Sequence, residues 1–158
     1  MLVDPQLFSN GFHVARVSLG DAVRTAVRDR DWVRLDREFA RLAAPGGRLF
    51  DFLRSYHDFS EIEFIISIRS AVNEWEEDGI WHDDGSRVFA FSLSLTVAPE
   101  TVAGGRLGIR RKGQEPFSEI PTPGFGTIIL FLTGVYGFEH KIHRVTAGER
   151  IIIAGWCS

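Results

Sequence analysis

The sequence predicts a mainly β domain with helices packed against it, and two observations carry that reading. Hydrophobic residues recur at three- and four-residue spacing only in about the first 58 positions, whereas from about residue 61 onward short apolar runs alternate with turn residues roughly every ten positions. Several short strands of this kind close into a sandwich or small barrel, with the helices outside.

Taken in order, Val23, Ala26, Val27, Val33, Leu35, Phe39 and Leu42 recur at helical spacing between Asp21 and Ala44. They predict an amphipathic helix or a broken pair of helices, closed by Pro45-Gly46-Gly47. Arg48 to His57, with Leu49, Phe50, Phe52, Leu53 and Tyr56, predicts a second short helix. Glu61 to Glu76 suits a buried strand and a buried helix alike, and its crowd of β-branched residues favours the strand. Arg87 to Thr96 places large apolar side chains at odd positions and small ones at 90, 92 and 94, which predicts a half-buried strand with a small, partly polar second face. Gly104-Gly105 opens a short strand around Leu107 to Ile109. Pro121-Thr122-Pro123-Gly124 marks a turn before a strand at Thr127 to Leu132, and Ala147-Gly148 another before Ile151-Ile152-Ile153.

Composition bounds the function. A chain of 158 residues, 44% of them hydrophobic, suits one domain over 1–158, helical over about 1–58 and β over about 61–158. The single cysteine, Cys157, excludes a disulfide scaffold and a Cys-rich zinc module and fits a reducing compartment. A net charge of -3 offers no general basic surface, so no nucleic-acid partner is expected. No positive stretch leads into an apolar run near the N-terminus, and no apolar run is long enough to span a membrane. The expectation is a soluble cytoplasmic domain.

The residues that carry chemistry are His82, Asp84, His140 and Arg150. If the chain is extended at 82–84, His82 and Asp84 point to one face and Asp83 to the other. With a distant histidine from a neighbouring strand they form a facial set of two imidazoles and one carboxylate, which leaves three adjacent positions open on an octahedral ion, as in non-haem Fe(II) oxygenases. His82-x-Asp84 by itself reads equally as a solvated turn after the acidic run Glu76-Glu77-Asp78.

Joined to three segments nearer the C-terminus, it makes the sequence resemble the 2-oxoglutarate and Fe(II)-dependent dioxygenases, specifically their prolyl-hydroxylase-like branch. The matching elements are His82-Asp83-Asp84, Gly104-Gly105-Arg106-Leu107, Pro123-Gly124-Phe125-Gly126, and His140 with Arg150 ten positions later. They occur in the family's order and fill residues 81–156. The resemblance implies a double-stranded β-helix (jelly-roll) core with N-terminal helices packed on it. It implies Fe(II) held by His82, Asp84 and His140, with 2-oxoglutarate and O2 as cosubstrates and hydroxylation with release of succinate and CO2 as the default outcome. Arg150 would hold the far carboxylate of 2-oxoglutarate in a bidentate pair, a fork that lysine lacks, with Ser94 or Ser92 assisting.

His143 competes with His140 as third ligand. The ten-residue interval to Arg150 favours His140, and a spacing of three sends the two rings to opposite faces of a strand. An intact Asp84 argues against the family's halogenating subgroup. Val72-Asn73-Glu74-Trp75 stands where the prolyl-hydroxylase branch carries a tyrosine-containing segment, so the substrate, small molecule or protein, stays open. The alternatives are a cupin-like metal enzyme without 2-oxoglutarate, which would have no general need of Arg150, and a non-catalytic metal-binding or peptide-binding module. Trp81 and Trp156 read as core filler, His13 and His57 as structural histidines, Cys157 as an unreactive thiol, and Arg110 to Glu115 as a solvated connection.

Overall fold

The computed structural model describes residues 4–73 and 75–158. Residues 1–3, and Glu74 of the Val72 to Trp75 segment, lie outside the described residues. Helix α1 (Pro5–Asn10) starts where the Asp4 carboxylate accepts from the Gln6 and Leu7 amides at 2.9 and 3.0 Å. The segment predicted as one helix or two is a pair, α2 (Asp21–Arg28) and α3 (Trp32–Ala43). Arg30 takes a left-handed φ of 54° between them, and Asp31 caps α3 by accepting from Arg34 N at 3.0 Å. The third predicted helix is α4 (Arg48–Arg54).

One element differs from the expected helical N-terminal part. Phe12–Arg16 is a strand, β1, which joins the main sheet beside β7 (Thr127–Leu132), with Phe12 opposite Phe131 and Arg16 opposite Thr127. Its five residues reveal their state only through this distant partner. The remaining strands are β2 (Ile62–Ser70), β3 (Phe89–Ser94), β4 (Ala103–Gly104), β5 (Leu107–Arg111), β6 (Ser118–Ile120), β8 (Phe138–Ile142), β9 (Val145–Ala147) and β10 (Glu149–Cys157). The ambiguous run at 61–76 is thus a strand that ends at Ser70.

All pairings are antiparallel, and the sheet orders are β1-β7-β3-β10-β2, β6-β5-β8 and β4-β9. This mainly β, antiparallel architecture with appended helices is consistent with the jelly roll. The outer face of the five-stranded sheet carries Phe89, Phe91 and Leu93 of β3 and Ile153 of β10, packed with Leu35, Phe39, Leu49 and Leu53 of the helices. The Phe39 and Phe64 rings meet edge to face at 4.8 Å. Burying each such side chain contributes about 1.5–3 kcal/mol.

The inner face explains a second departure from expectation. β3 is buried on both faces rather than one, because its small residues Ala90, Ser92 and Ser94 turn toward a second layer of structure instead of water. Small side chains there leave space between the layers, and that space is the site. Among the described residues, no helix is long and apolar enough to cross a membrane.

Candidate active site

Backbone pairing brings the two histidines together. His82 and His140 form an antiparallel bridge in which each amide donates to the other's carbonyl at 2.9 Å. Directly opposed residues project to the same side, and the ring centroids stand 4.1 Å apart. His140 sits on β8, 4% exposed, with Phe131 packed at 4.6 Å between ring centroids. The His82 Nδ1 lies 3.1 Å from the Ile80 carbonyl. Donating there leaves Nε2 free and fixes the ring plane, as outer-shell partners do for metal-binding histidines.

Asp84 reaches the same point by a route the alternation argument did not foresee. The chain is not extended through 82–84, because Asp84 has φ 59° and begins a turn continued by Gly85, also at 59°. Asp83 holds that turn, accepting from Gly85 N at 3.0 Å and pairing with Lys112 Nζ at 2.5 Å, while Gly134 N donates to its carbonyl at 2.8 Å. Asp84 Oδ2 lies 3.2 Å from His140 Nε2 and Oδ1 3.9 Å from His82 Nε2. One ligand atom from each residue falls within 4.8 Å of the others.

The electrostatics suit a cation. Asp84 Oδ2 is buried without a hydrogen-bond partner among the described residues. Burial raises the Asp84 carboxyl, against the pull of His82 and of a hydrogen bond from the Trp156 side chain. Burial, and then the charge of His82, pushes His140 down to about 3. Its imidazole is therefore neutral, the form that binds a metal. Two imidazoles and a carboxylate converging on an unsatisfied oxygen fit Fe(II).

The triad opens into a cavity of about 550 Å³, which Arg150, Arg69, Ser92 and Trp156 also line. Arg150 is 2% exposed, and its Nε and Nη1 have no hydrogen-bond partner among the described residues. Burial, then the like charge of Arg69, pushes the guanidinium down to about 9, with Asp78 pulling back, so it stays charged at neutral pH. A buried cation of this kind is an anion site in waiting. Gly105 makes room for it: with φ 66°, a Cβ there would fall 2.9 Å from Arg150 Cδ. A Cβ on Gly104, at φ 73°, would fall 2.0 Å from the Arg144 carbonyl oxygen.

Of the two serines, Ser94 donates to the Pro123 carbonyl at 2.6 Å and accepts from Thr96 N at 3.2 Å, whereas Ser92 faces the cavity. His143 lies just beyond β8, its Nε2 3.0 Å from Glu119 Oε1 and apart from the triad. His57 is a buried structural histidine, 2.6 Å from the Tyr136 hydroxyl and 2.7 Å from the Asp58 carbonyl, and His13 packs on Tyr56. Cys157 is buried, and burial pushes its thiol up. Trp81 is held between the Arg110 and Lys141 cations, at 4.0 and 4.5 Å. The Arg110 to Glu115 connection is tied to the site's periphery through the Lys112–Asp83 pair and the Arg110–Glu139 pair at 2.8 Å. Sequence reasoning missed Arg69 and read Trp156 as core filler. Only the register of β2 on β10, which sets Arg69 opposite Arg150, identifies the former.

Among curated proteins no relative matches the chain. The fold is similar to that of a prolyl-4-hydroxylase from Pseudomonas putida, 18% identical over 96% of this chain and 90% of that one, with a TM-score of 0.60. It is likewise similar to a prolyl hydroxylase from Trichoplax adhaerens in complex with a hypoxia inducible factor peptide fragment (14% identity, 96% and 85% coverage, TM-score 0.63). HygX from Streptomyces hygroscopicus, with nickel and 2-oxoglutarate bound, also matches (16% identity, 99% and 87% coverage, TM-score 0.53). These identities establish likeness of fold. The profile of the 2OG-Fe(II) oxygenase superfamily matches residues 51–158, more than half of the chain and every described strand except β1. The chain therefore belongs to the 2OG-Fe(II) oxygenase superfamily, oxidoreductases that use Fe(II), 2-oxoglutarate and O2.

Proposed function

We propose that this oxygenase hydroxylates an organic substrate through Fe(II) held by His82, Asp84 and His140, converting 2-oxoglutarate and O2 to succinate and CO2. The observation that carries the reading is the convergence of those three side chains in one cavity with Arg150, a buried guanidinium without a carboxylate partner of its own among the described residues. Fe(II), when bound, supplies three adjacent coordination positions and the redox change. In the balance, one oxygen atom of O2 enters the substrate C–H bond as hydroxyl and the other enters the new carboxylate of succinate.

The chain's own residues do the rest. The His82–His140 bridge and the Asp83 turn fix the ligand geometry before the ion arrives. Arg150 orients 2-oxoglutarate by its far carboxylate, with Ser92, rather than Ser94, placed to assist from the cavity wall. Trp156 lies beside Asp84, and Phe131 shields His140 from water. Two of the similar structures are described as prolyl hydroxylases, so prolyl peptides head the substrate panel, followed by small metabolites.

The test is an anaerobic titration with Fe(II) and then 2-oxoglutarate, following the weak visible charge-transfer band of a chelated 2-oxo acid. Air is then admitted and succinate measured. A band followed by succinate supports the reading. Tight Fe(II) binding without a band sinks it in favour of a cupin-like enzyme, and a band without succinate on any panel member leaves a binding module.

A further inference from the structure

We propose that Arg69 is a second guanidinium of the subsite for the far carboxylate of 2-oxoglutarate, paired with Arg150 across β2 and β10 and held in place by Asp78 and Trp75. This rests on the function proposed above. Arg69 and Arg150 are register partners, so their side chains leave the sheet on the same face with Cβ atoms about 5 Å apart. Both line the cavity, and both are buried, at 8% and 2% exposure. Like charges directly opposed in a sheet are destabilising, and burial sharpens the repulsion. Such a pair persists where an anion is meant to lie between its members.

The surrounding charges leave that place open. Asp78 pairs with Arg69 Nη1, and the Trp75 ring covers the guanidinium at 4.5 Å, fixing its plane. Glu76 and Glu77 are exposed at the rim. Arg69 Nε and Arg150 Nε and Nη1 have no hydrogen-bond partner among the described residues. Among the described residues, Asp78 is the carboxylate paired with the two guanidiniums and Glu77 acts on Arg69 from the exposed rim, which leaves unused donors on both arginines for a further carboxylate.

Position decides which carboxylate. Along β10 the cavity face runs from Arg150 through Ile152 and Ala154 to Trp156, and Trp156 is the residue beside Asp84. Arg69 thus lies with Arg150 at the end of the strand away from the metal ligands. A cosubstrate chelated at the metal extends its second carboxylate toward that end, whereas the substrate's reacting C–H bond must stay beside the ion. The geometry points to recognition of the cosubstrate rather than of an anionic group on the substrate.

The test compares 2-oxoglutarate with 2-oxopentanoate, which has the same 2-oxo acid head and no far carboxylate, in anaerobic binding titrations of the Fe(II)-loaded full chain. Arg69→Gln should weaken 2-oxoglutarate about tenfold, the size of one lost charge-assisted hydrogen bond, and leave 2-oxopentanoate unchanged. Arg69→Lys keeps a cation for Asp78 but not the fork, and should fall between; it serves if the glutamine variant does not fold. Unchanged 2-oxoglutarate affinity in a folded variant overturns the proposal, as does an equal loss for both acids, which would mark Arg69 as merely structural. Wild-type protein that binds Fe(II) but neither acid refutes the oxygenase reading itself, and the subsite falls with it.

Discussion

Replacing Arg150 by methionine should make the ligand-free protein more stable while removing its response to 2-oxoglutarate. The guanidinium is 2% exposed, faces Arg69, and leaves Nε and Nη1 unpartnered. Lowering such a group from its ordinary range to about 9 costs its charged form on the order of 5 kcal/mol, which sets a ceiling on what removal can recover. Exchanging buried ionic groups for apolar ones of similar volume gains about 1–4 kcal/mol where it helps. For a chain of this size about 2 kcal/mol raises Tm by roughly 4–8 °C. Conversely, 2-oxoglutarate at a hundred times its Kd should stabilise the Fe(II)-loaded wild type by about 2.7 kcal/mol and the variant hardly at all. Anaerobic thermal melts of both proteins, with and without 2-oxoglutarate, read both effects. An Arg150→Met protein that melts below wild type without ligand would refute the reasoning, because Arg150 would then be a structural residue. Equal stabilisation of both by 2-oxoglutarate would place the far carboxylate elsewhere.

The geometry yields three further outcomes. His140→Ala should weaken Fe(II) binding by more than about a hundredfold, beyond the loss typical of outer-shell changes, while His143→Ala, which removes a ring beside Glu119, should leave it unchanged in the same anaerobic calorimetry. Gly105→Ala should cost about 1–2 kcal/mol for its left-handed φ and also weaken 2-oxoglutarate by displacing Arg150 Cδ; denaturant melts and the band titration separate the two effects. Gly155→Ala puts a Cβ 2.1 Å from Phe91 Cζ, in a ring that is 1% exposed, and should cost about 1–3 kcal/mol by overpacking without altering which metal binds.

Much of the β core is legible in the sequence because turn residues and alternation are local signals. A turn and an apolar run place a strand at Thr127 to Leu132, and the structure puts β7 on those residues. Helix over 21–44 and at α4 follows from period and the closing Pro45-Gly46-Gly47, although period leaves one helix or a pair open and the structure has a pair. β1 is not legible, since its five residues become a strand only by pairing with β7, a contact across most of the chain. The double burial of β3 is hidden for a related reason: alternation tells which side chains share a face, and another layer decides whether that face meets water. Arg69 is the strongest case. A cationic residue near the end of a strand looks like an edge residue until register sets it against Arg150.

The His82-Asp83-Asp84 segment reaches its expected grouping by other means than alternation supposes. In an extended chain, side chains two apart lie roughly 7 Å from each other along the strand, too far for one small ion without convergence. The left-handed turn at Asp84 supplies that convergence, bringing Oδ1 to 3.9 Å from His82 Nε2. A left-handed φ at a non-glycine residue costs roughly 1–2 kcal/mol, and here it is held by Asp83 through Gly85 N, Lys112 and Gly134 N. The residue between the two candidate ligands is therefore not a spacer. Its carboxylate and its carbonyl both brace the turn, and Gly134 is small because a Cβ there would fall 2.9 Å from the Asp83 side chain. The backbone bridge at His82 and His140 and the turn at Asp84 together set the triad before any metal binds. Metal affinity should accordingly respond to Asp83, through the turn it braces and through its charge on His140 and Asp84, although Asp83 donates no ligand atom.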